Sequence, residues 1–254
     1  MLKESWKEKV QDFDERRDIV IPDDYEETLK YCVNQFIEIA NACIQQQGYF
    51  AVALSGGSTP QAIYQSLASQ ENRSKIDWSQ VLLFWSDERS VPPDHKDSNY
   101  RMAMDAGFVT LPLKPENIFR MKAEENIEEN ALEYEKLIQT RIPKKIFDAV
   151  LLGMGEDGHT ASLFPMTHGL KVQNRLVIAN FIPQKSTWRM TLTYDCINVS
   201  RHILIYVLGD SKKEMTARVL TGSYEPDILP IQKIGTPSHR ALWILDNAAA
   251  AYLS

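Results

Sequence analysis

Tyr49–Leu54 reads YFAVAL and runs without a break into SGGSTP, Ser55–Pro60. The apolar run does not alternate, and two glycines flanked by hydroxyls close it before a helical spacing of Ile63, Tyr64 and Leu67 takes over. The unit is strand, loop, helix. It recurs: VLLFW (Val81–Trp85) precedes a polar loop and a segment opening at Ser98, and FDAVLLG (Phe147–Gly153) precedes a glycine-rich turn. HILIYVLG (His202–Gly209) precedes a helix from Ser211, and ALWIL (Ala241–Leu245) precedes an alanine run. Apolar strands without alternation, separated by helices, imply a parallel sheet covered on both faces. The expected class is therefore α/β, doubly wound and mostly parallel.

Other stretches fill in this frame. Leu29, Val33, Phe36, Ile37, Ala40 and Ile44 recur at helical spacing between Asp23 and Gly48, with Asp23 and Glu26 as a capping pair and Gly48 as a stop. Glu124 to Ile142 reads as an acidic, exposed helix. RLVIANFI (Arg175–Ile182) and RMTLTY (Arg189–Tyr194) are strand-like with a short polar link, and are expected to form a local hairpin or sheet edge. Residues 1–20 are charged and lack clean periodicity, so an arm or surface helix is expected there. No linker or repeat divides residues 21–254, which are expected to form a single domain.

The 254 residues are 44% hydrophobic and 24% charged, ordinary for a globular chain. With 34 acidic residues against 28 basic ones, the net charge of −6 offers no general field to attract nucleic acid or anionic lipid. Any anion must be met by a few local groups. No apolar stretch approaches the length of a membrane span, and MLKESWKEKVQDFDERRD lacks the apolar core of a secretory signal, so a cytoplasmic location is expected. Cys32, Cys43 and Cys196 are odd in number and form no Cys-x-x-Cys pair, which points to buried hydrophobes rather than disulfides or a zinc ribbon.

In an open parallel sheet, ligands bind beyond the carboxyl ends of the strands. Four polar loops stand there: Ser55-Gly56-Gly57-Ser58-Thr59, Ser86-Asp87-Glu88-Arg89, Gly153 to His159, and Gly209 to Lys213. The first has the parts of a phosphate cradle, because its glycines let backbone N–H groups approach an anion at a helix start. It has no lysine in the position a Walker loop requires. Gly153, Gly155 and Gly158 form a G-x-G-x-x-G, but Glu156 and Asp157 would set carboxylates where a pyrophosphate lies, and Pro165 interrupts the helix that should follow. No dinucleotide or other cofactor is expected.

Of the five histidines, only His159 lies on a site loop beside a carboxylate, two residues from Asp157. A turn there would let the carboxylate orient the imidazole as a base toward water. No third ligand at metal-binding spacing accompanies the pair, so no metal is expected. In the second loop, Arg89 is expected to meet substrate or to pair with one of the carboxylates Asp87 and Glu88 while the other serves the site. Lys212 and Lys213 open a helix where the dipole gives a cation nothing, which suits a phosphate contact instead.

Taken together, the loops resemble the 6-phosphogluconolactonase family, within the larger group that holds glucosamine-6-phosphate isomerases and deaminases. The resemblance runs from about Tyr25 to the C-terminus. It is carried by ALSGGSTP (Ala53–Pro60), WSDERSVP with DSNYRMA behind it (Trp85–Ala103), LLGMGEDGHTASLFP (Leu151–Pro165), RMTLTY, LGDSKKEM (Leu208–Met215) and WILDNAAA (Trp243–Ala250). Ala161-Ser162-Leu163-Phe164-Pro165 departs from the Asn-Glu-Pro continuation usual in the deaminase branch. Ser86 stands where the family more often has glycine, and Glu156 where proline is common. The resemblance implies a Rossmann-like fold and cofactor-free hydrolysis of a small phosphorylated sugar lactone. It also implies His159 as the base that activates water, Asp157 as its orienting partner and Arg89 as a candidate donor to the developing oxyanion. Ser55, Gly56, Gly57, Ser58, Thr59, Asp87, Lys212 and Arg189 are then expected to bind phosphate or sugar hydroxyls. The rivals are a deaminase with Asp87 as base and a non-catalytic sugar-phosphate sensor. The expected assembly is a monomer or small homo-oligomer.

Overall fold

The computed structural model describes residues 5–253. A short helical turn at Ser5–Lys9 leads into β1 (Gln11–Asp12), β2 (Arg17–Val20), α1 (Tyr25–Gln47), β3 (Phe50–Leu54), α2 (Ser58–Ala68), β4 (Val81–Trp85), β5 (Asp87–Arg89) and α3 (Asn99–Asp105). After these come α4 (Ile127–Arg141), β6 (Ala149–Gly153), β7 (Val177–Ile182), β8 (Thr187–Leu192), α5 (Tyr194–Ile197), β9 (His202–Val207), α6 (Lys213–Thr221) and β10 (Ala241–Leu245). No helix among the described residues is long and apolar enough to cross a membrane.

Seven strands form the main sheet in the order β1-β2-β10-β9-β6-β3-β4, and every pairing but that of β1 is parallel. All five residues of β3 and all five of β10 are buried. Because successive side chains point to opposite faces, complete burial requires cover on both faces, as the unalternating sequence implies. Each large side chain so buried contributes on the order of 1.5–3 kcal/mol.

From β3 the chain moves outward to β4, then returns to lay β6 on the other side of β3, with β9 and β10 beyond it. Loops leaving β3 and β6 thus diverge and open a crevice at their carboxyl ends, the switch point where open α/β sheets bind ligands.

Two details move from expectation. The cap of α1 lies one residue later, at Asp24, whose side chain accepts from Glu27 N at 3.0 Å. Asp23 is occupied otherwise: its carbonyl and carboxylate accept from the backbone and side chain of Asn247, both at 2.8 Å. The segment Asp87–Arg89, read as a loop, is a strand. It pairs antiparallel with β8, which pairs with β7, so the hairpin expected from Arg175–Ile182 and Arg189–Tyr194 acquires a third strand and becomes a small sheet of its own. Ser86 is the pivot between the two sheets. Its N–H and Oγ donate to Leu54 O at 2.7 and 3.0 Å, and its carbonyl accepts from Leu192 N at 2.8 Å.

The N-terminal arm needs a correction. Residues 1–4 lie outside the described residues, but Arg17–Val20 pairs in parallel with β10 as part of the main sheet. Arg17 is buried, its Nη atoms donating to the carbonyls of Val219 and Leu220 at 3.2 and 3.3 Å, and its Nε to Asp14 at 2.6 Å. The charge of Arg17 is spent on Asp14 and on carbonyls at the end of α6. Replacing Arg17 by Ala should therefore lower the free energy of unfolding by about 2 kcal/mol. The denaturant midpoint checks this, and the activity per folded molecule is expected to stay unchanged.

Candidate active site

At the switch point, a cavity of about 180 Å³ is lined by residues from both sheets, among them Ser55, Gly56, Gly57, Asp87, Arg89, Asn99, His159 and Arg189. A larger groove of about 550 Å³ between α4 and the small sheet shares none of these residues and is lined mainly by apolar and aromatic side chains. The chemistry is concentrated in the smaller one.

The loop after β6 closes on itself. Gly155 N donates to His159 O at 2.9 Å, and Gly158 N to Gly155 O at 3.1 Å. Asp157 is thereby folded under the imidazole: its Oδ1 accepts from His159 N at 3.1 Å and lies 2.5 Å from Nδ1. Partial burial works against the charge on Asp157, but the hydrogen bond and charge of His159 outweigh it and hold the carboxyl below its usual range. Asp157 thus stays ionised through neutral and mildly acid pH, and its support for His159 is lost only as pH falls through that lowered value. With Nδ1 engaged, Nε2 is the ring nitrogen without a hydrogen bond among the described residues, and His159 lines the cavity. A base held at one nitrogen and open at the other is equipped to take a proton from water.

The first loop offers backbone donors at a helix start. Gly57, at φ 110°, starts α2, and the N–H groups of Gly57, Ser58 and Thr59 have no acceptor among the described residues. Three free donors at the positive end of an 11-residue helix attract an anion. Ser55 is buried and its Oγ has no hydrogen-bond partner among the described residues. Gly56 packs against α3 so closely that a Cβ there would come within 1.9 Å of Asn99 Oδ1.

Two carboxylates of the second loop divide their roles. Glu88 is buried and accepts from Arg89 N, Ser98 Oγ, Asn99 N and Tyr100 N at 2.7–3.0 Å. Burial pushes its carboxyl above the usual range, opposed by those backbone donors. It holds the start of α3 rather than the cavity. Asp87 does line the cavity, but its Oδ1 accepts from Asn99 Nδ2 at 3.1 Å and its Oδ2 from Ser162 Oγ at 2.6 Å.

Arg89 and Arg189 are register partners on β5 and β8, so the two guanidinium groups enter the cavity from neighbouring strands. Arg89 donates to Asp97 O at 2.6 Å, while Arg189 has no hydrogen bond or ion pair among the described residues, and Nε is unpartnered in both. Partial burial lowers Arg189 from its ordinary value, against the opposing charge of Asp87. A guanidinium has room for such a shift and stays charged. Lys212 reaches the same region from beyond β9, donating to Met154 O at 2.9 Å, without lining the cavity. Ser58, Thr59 and Asp157 likewise stand beside it rather than in its wall. No group of three His, Cys, Asp or Glu suited to a metal ion occurs among the described residues.

The structure adds Asn99, Ser162 and Phe164 to the residues read from sequence. Asn99 bridges Asp87 and the cradle, Ser162 fixes Asp87, and the ring of Phe164 stacks on His159. All three lie inside quoted motifs, but partners 75 residues apart, such as Ser162 and Asp87, leave no local pattern.

A family model described as glucosamine-6-phosphate isomerases/6-phosphogluconolactonase matches residues 23–243. The chain belongs to this family. Among its relatives, the 6-phosphogluconolactonase of Chlamydia trachomatis is 40% identical over 230 residues, covering 90% of this chain and 88% of that protein. The 6-phosphogluconolactonase of a Nostoc species is 40% identical over 220 residues, 84% of this chain and 89% of the relative. The solved 6-phosphogluconolactonase from Trypanosoma cruzi superposes with a TM-score of 0.81 at 26% identity, covering 96% of this chain and 99% of that one. The family shares the α/β fold described above.

Gly155 offers a test of how tightly the acid–base pair is built. A Cβ there would lie 2.0 Å from His159 Nδ1 and 2.9 Å from Asp157 Oδ1, so the imidazole must move. Gly155→Ala should cut turnover about 100-fold, the usual consequence of misplacing a reacting group by an ångström. Steady-state kinetics beside a thermal melt checks this, with the melt expected to change little.

Proposed function

We propose that the chain is a 6-phosphogluconolactonase, hydrolysing 6-phospho-D-glucono-1,5-lactone to 6-phospho-D-gluconate, the second step of the oxidative pentose phosphate branch. The observation that carries the reading is the His159–Asp157 pair, with His159 lining a cavity that also takes in the start of α2. A small anionic ester needs that combination: an anion cradle, a base and cations for an oxyanion, with no cofactor.

In this reading His159 Nε2 takes a proton as water attacks the lactone carbonyl carbon. The imidazolium that results is balanced by Asp157 at Nδ1. Arg89 and Arg189, or the loop N–H groups, meet the charge that gathers on the carbonyl oxygen. As the tetrahedral species collapses, the ring C–O bond breaks and the departing ring oxygen receives the proton from Nε2. The free acid then loses its proton to solvent. The phosphate occupies the cradle of Ser55, Gly56, Gly57, Ser58 and Thr59, within reach of Lys212, and Asp87 is left to hold sugar hydroxyls and the Asn99–Ser162 link. The deaminase reading is disfavoured because Ala161-Ser162-Leu163-Phe164-Pro165 stands where that branch carries its Asn-Glu-Pro continuation. A small phosphorylated sugar as substrate fits a cytoplasmic enzyme.

The direct test follows freshly generated 6-phosphogluconolactone with and without purified protein, since this lactone also hydrolyses unaided. Acceleration that persists with a chelator is expected. A rate equal to the spontaneous one, together with ammonia release from glucosamine 6-phosphate, would replace this reading with the deaminase. His159→Ala should lower turnover by about 10²- to 10⁴-fold with a small change in KM, the usual worth of a general base.

A further inference from the structure

Phe164 is 1% exposed, yet its ring lies outside the main hydrophobic cluster. It is stacked on His159 instead, with ring centroids 3.9 Å apart and planes 15° from parallel. The negative face of a phenyl group attracts positive charge, so a ring stacked on His159 gains interaction when the imidazole becomes imidazolium.

We propose that Phe164 is a positioning residue for the lactonase reaction, holding the His159 ring in the plane that aims Nε2 at the cavity and favouring the charge His159 acquires when it takes the proton of water. The inference rests on the lactonase reading. Its electrostatic setting gives the ring work to do. Arg189 on β8 and Arg89 on β5 face the cavity, Lys212 reaches Met154 O beside it, and Lys185 in the β7–β8 turn lies 5.9 Å from the Phe164 centroid, as does Arg189 Cζ. These four cations oppose a further positive charge at His159. Against them stand Asp157 at Nδ1, the more distant Asp87 on β5, and the face of Phe164. Phe164 is itself fixed from both sides of the chain: Leu163 N donates to Thr160 O at 2.9 Å, and Gln184 Nε2 of the hairpin turn donates to Pro165 O at 2.9 Å.

The test compares Phe164→Leu, Phe164→Met and Phe164→Tyr in the full chain with 6-phosphogluconolactone across pH. Loss of the aromatic face lets His159 stay neutral to lower pH, so the acid limb of kcat/KM should move down by about half a pH unit in Leu and Met. Turnover should fall about tenfold or more as the ring loses its fixed plane, with KM changed by less than about threefold. Tyr should restore both turnover and the limb. Lower turnover with an unmoved limb, a limb moved upward, or Tyr behaving like Leu would overturn the proposal. Should the wild-type protein fail to accelerate lactone hydrolysis, the lactonase reading falls instead. An NMR titration of His159 in wild type and Phe164→Met then reads the same proton-affinity difference without substrate. Met fills nearly the volume of Phe, so it keeps the comparison open if the Leu variant does not fold.

Discussion

The distance of 2.5 Å between Asp157 Oδ1 and His159 Nδ1 exists because five residues of backbone fold into a loop tight enough to bring them together. The two backbone bonds between Gly155, Gly158 and His159 leave no space for a side chain at Gly155, whose hydrogen faces the imidazole. From that closure follow the engaged nitrogen, the open one and the lowered carboxyl of Asp157. The sheet supplies the address. Because β6 is laid on the far side of β3 from β4, the closed loop faces the start of α2 across the crevice. His159 and the start of α2 meet there although about a hundred residues separate them in the chain.

Charge organises the rest of the cavity. An acidic chain of net charge −6 concentrates Arg89, Arg189, Lys212 and a helix N-terminus around one small space. This local reversal of sign is what a singly phosphorylated substrate requires. The same cations make it harder for the histidine to carry charge during reaction, so Asp157 and Phe164 are needed as counterweights. Asp87 and Glu88, adjacent in sequence, fall to different tasks because alternate strand residues face opposite ways. One enters the cavity, and the other closes the first turn of α3.

The parallel sheet was legible because runs such as FAVAL and ALWIL are buried on both faces, and burial on both faces erases alternation. The loops at their ends were legible for the same reason, since strand ends locate them. What stayed hidden depended on distant partners. Arg17–Val20 looked like a charged arm because Arg17 is satisfied by carbonyls some 200 residues away. Asp87–Arg89 looked like a loop because a strand of three polar residues shows no hydrophobic pattern, and β8 alone defines it. The stacking partner of Phe164 stayed hidden as well, for nothing local says which ring it will face.

The account turns on Asp157 fixing the proton of the His159 ring at Nδ1 so that Nε2 can act as the base. Imidazole ¹⁵N chemical shifts of His159, recorded on the neutral ring, report this directly. The account predicts a protonated Nδ1 and a bare Nε2 in the wild type, with the preference weakened in Asp157→Asn. A proton found on Nε2 in the wild type would contradict it.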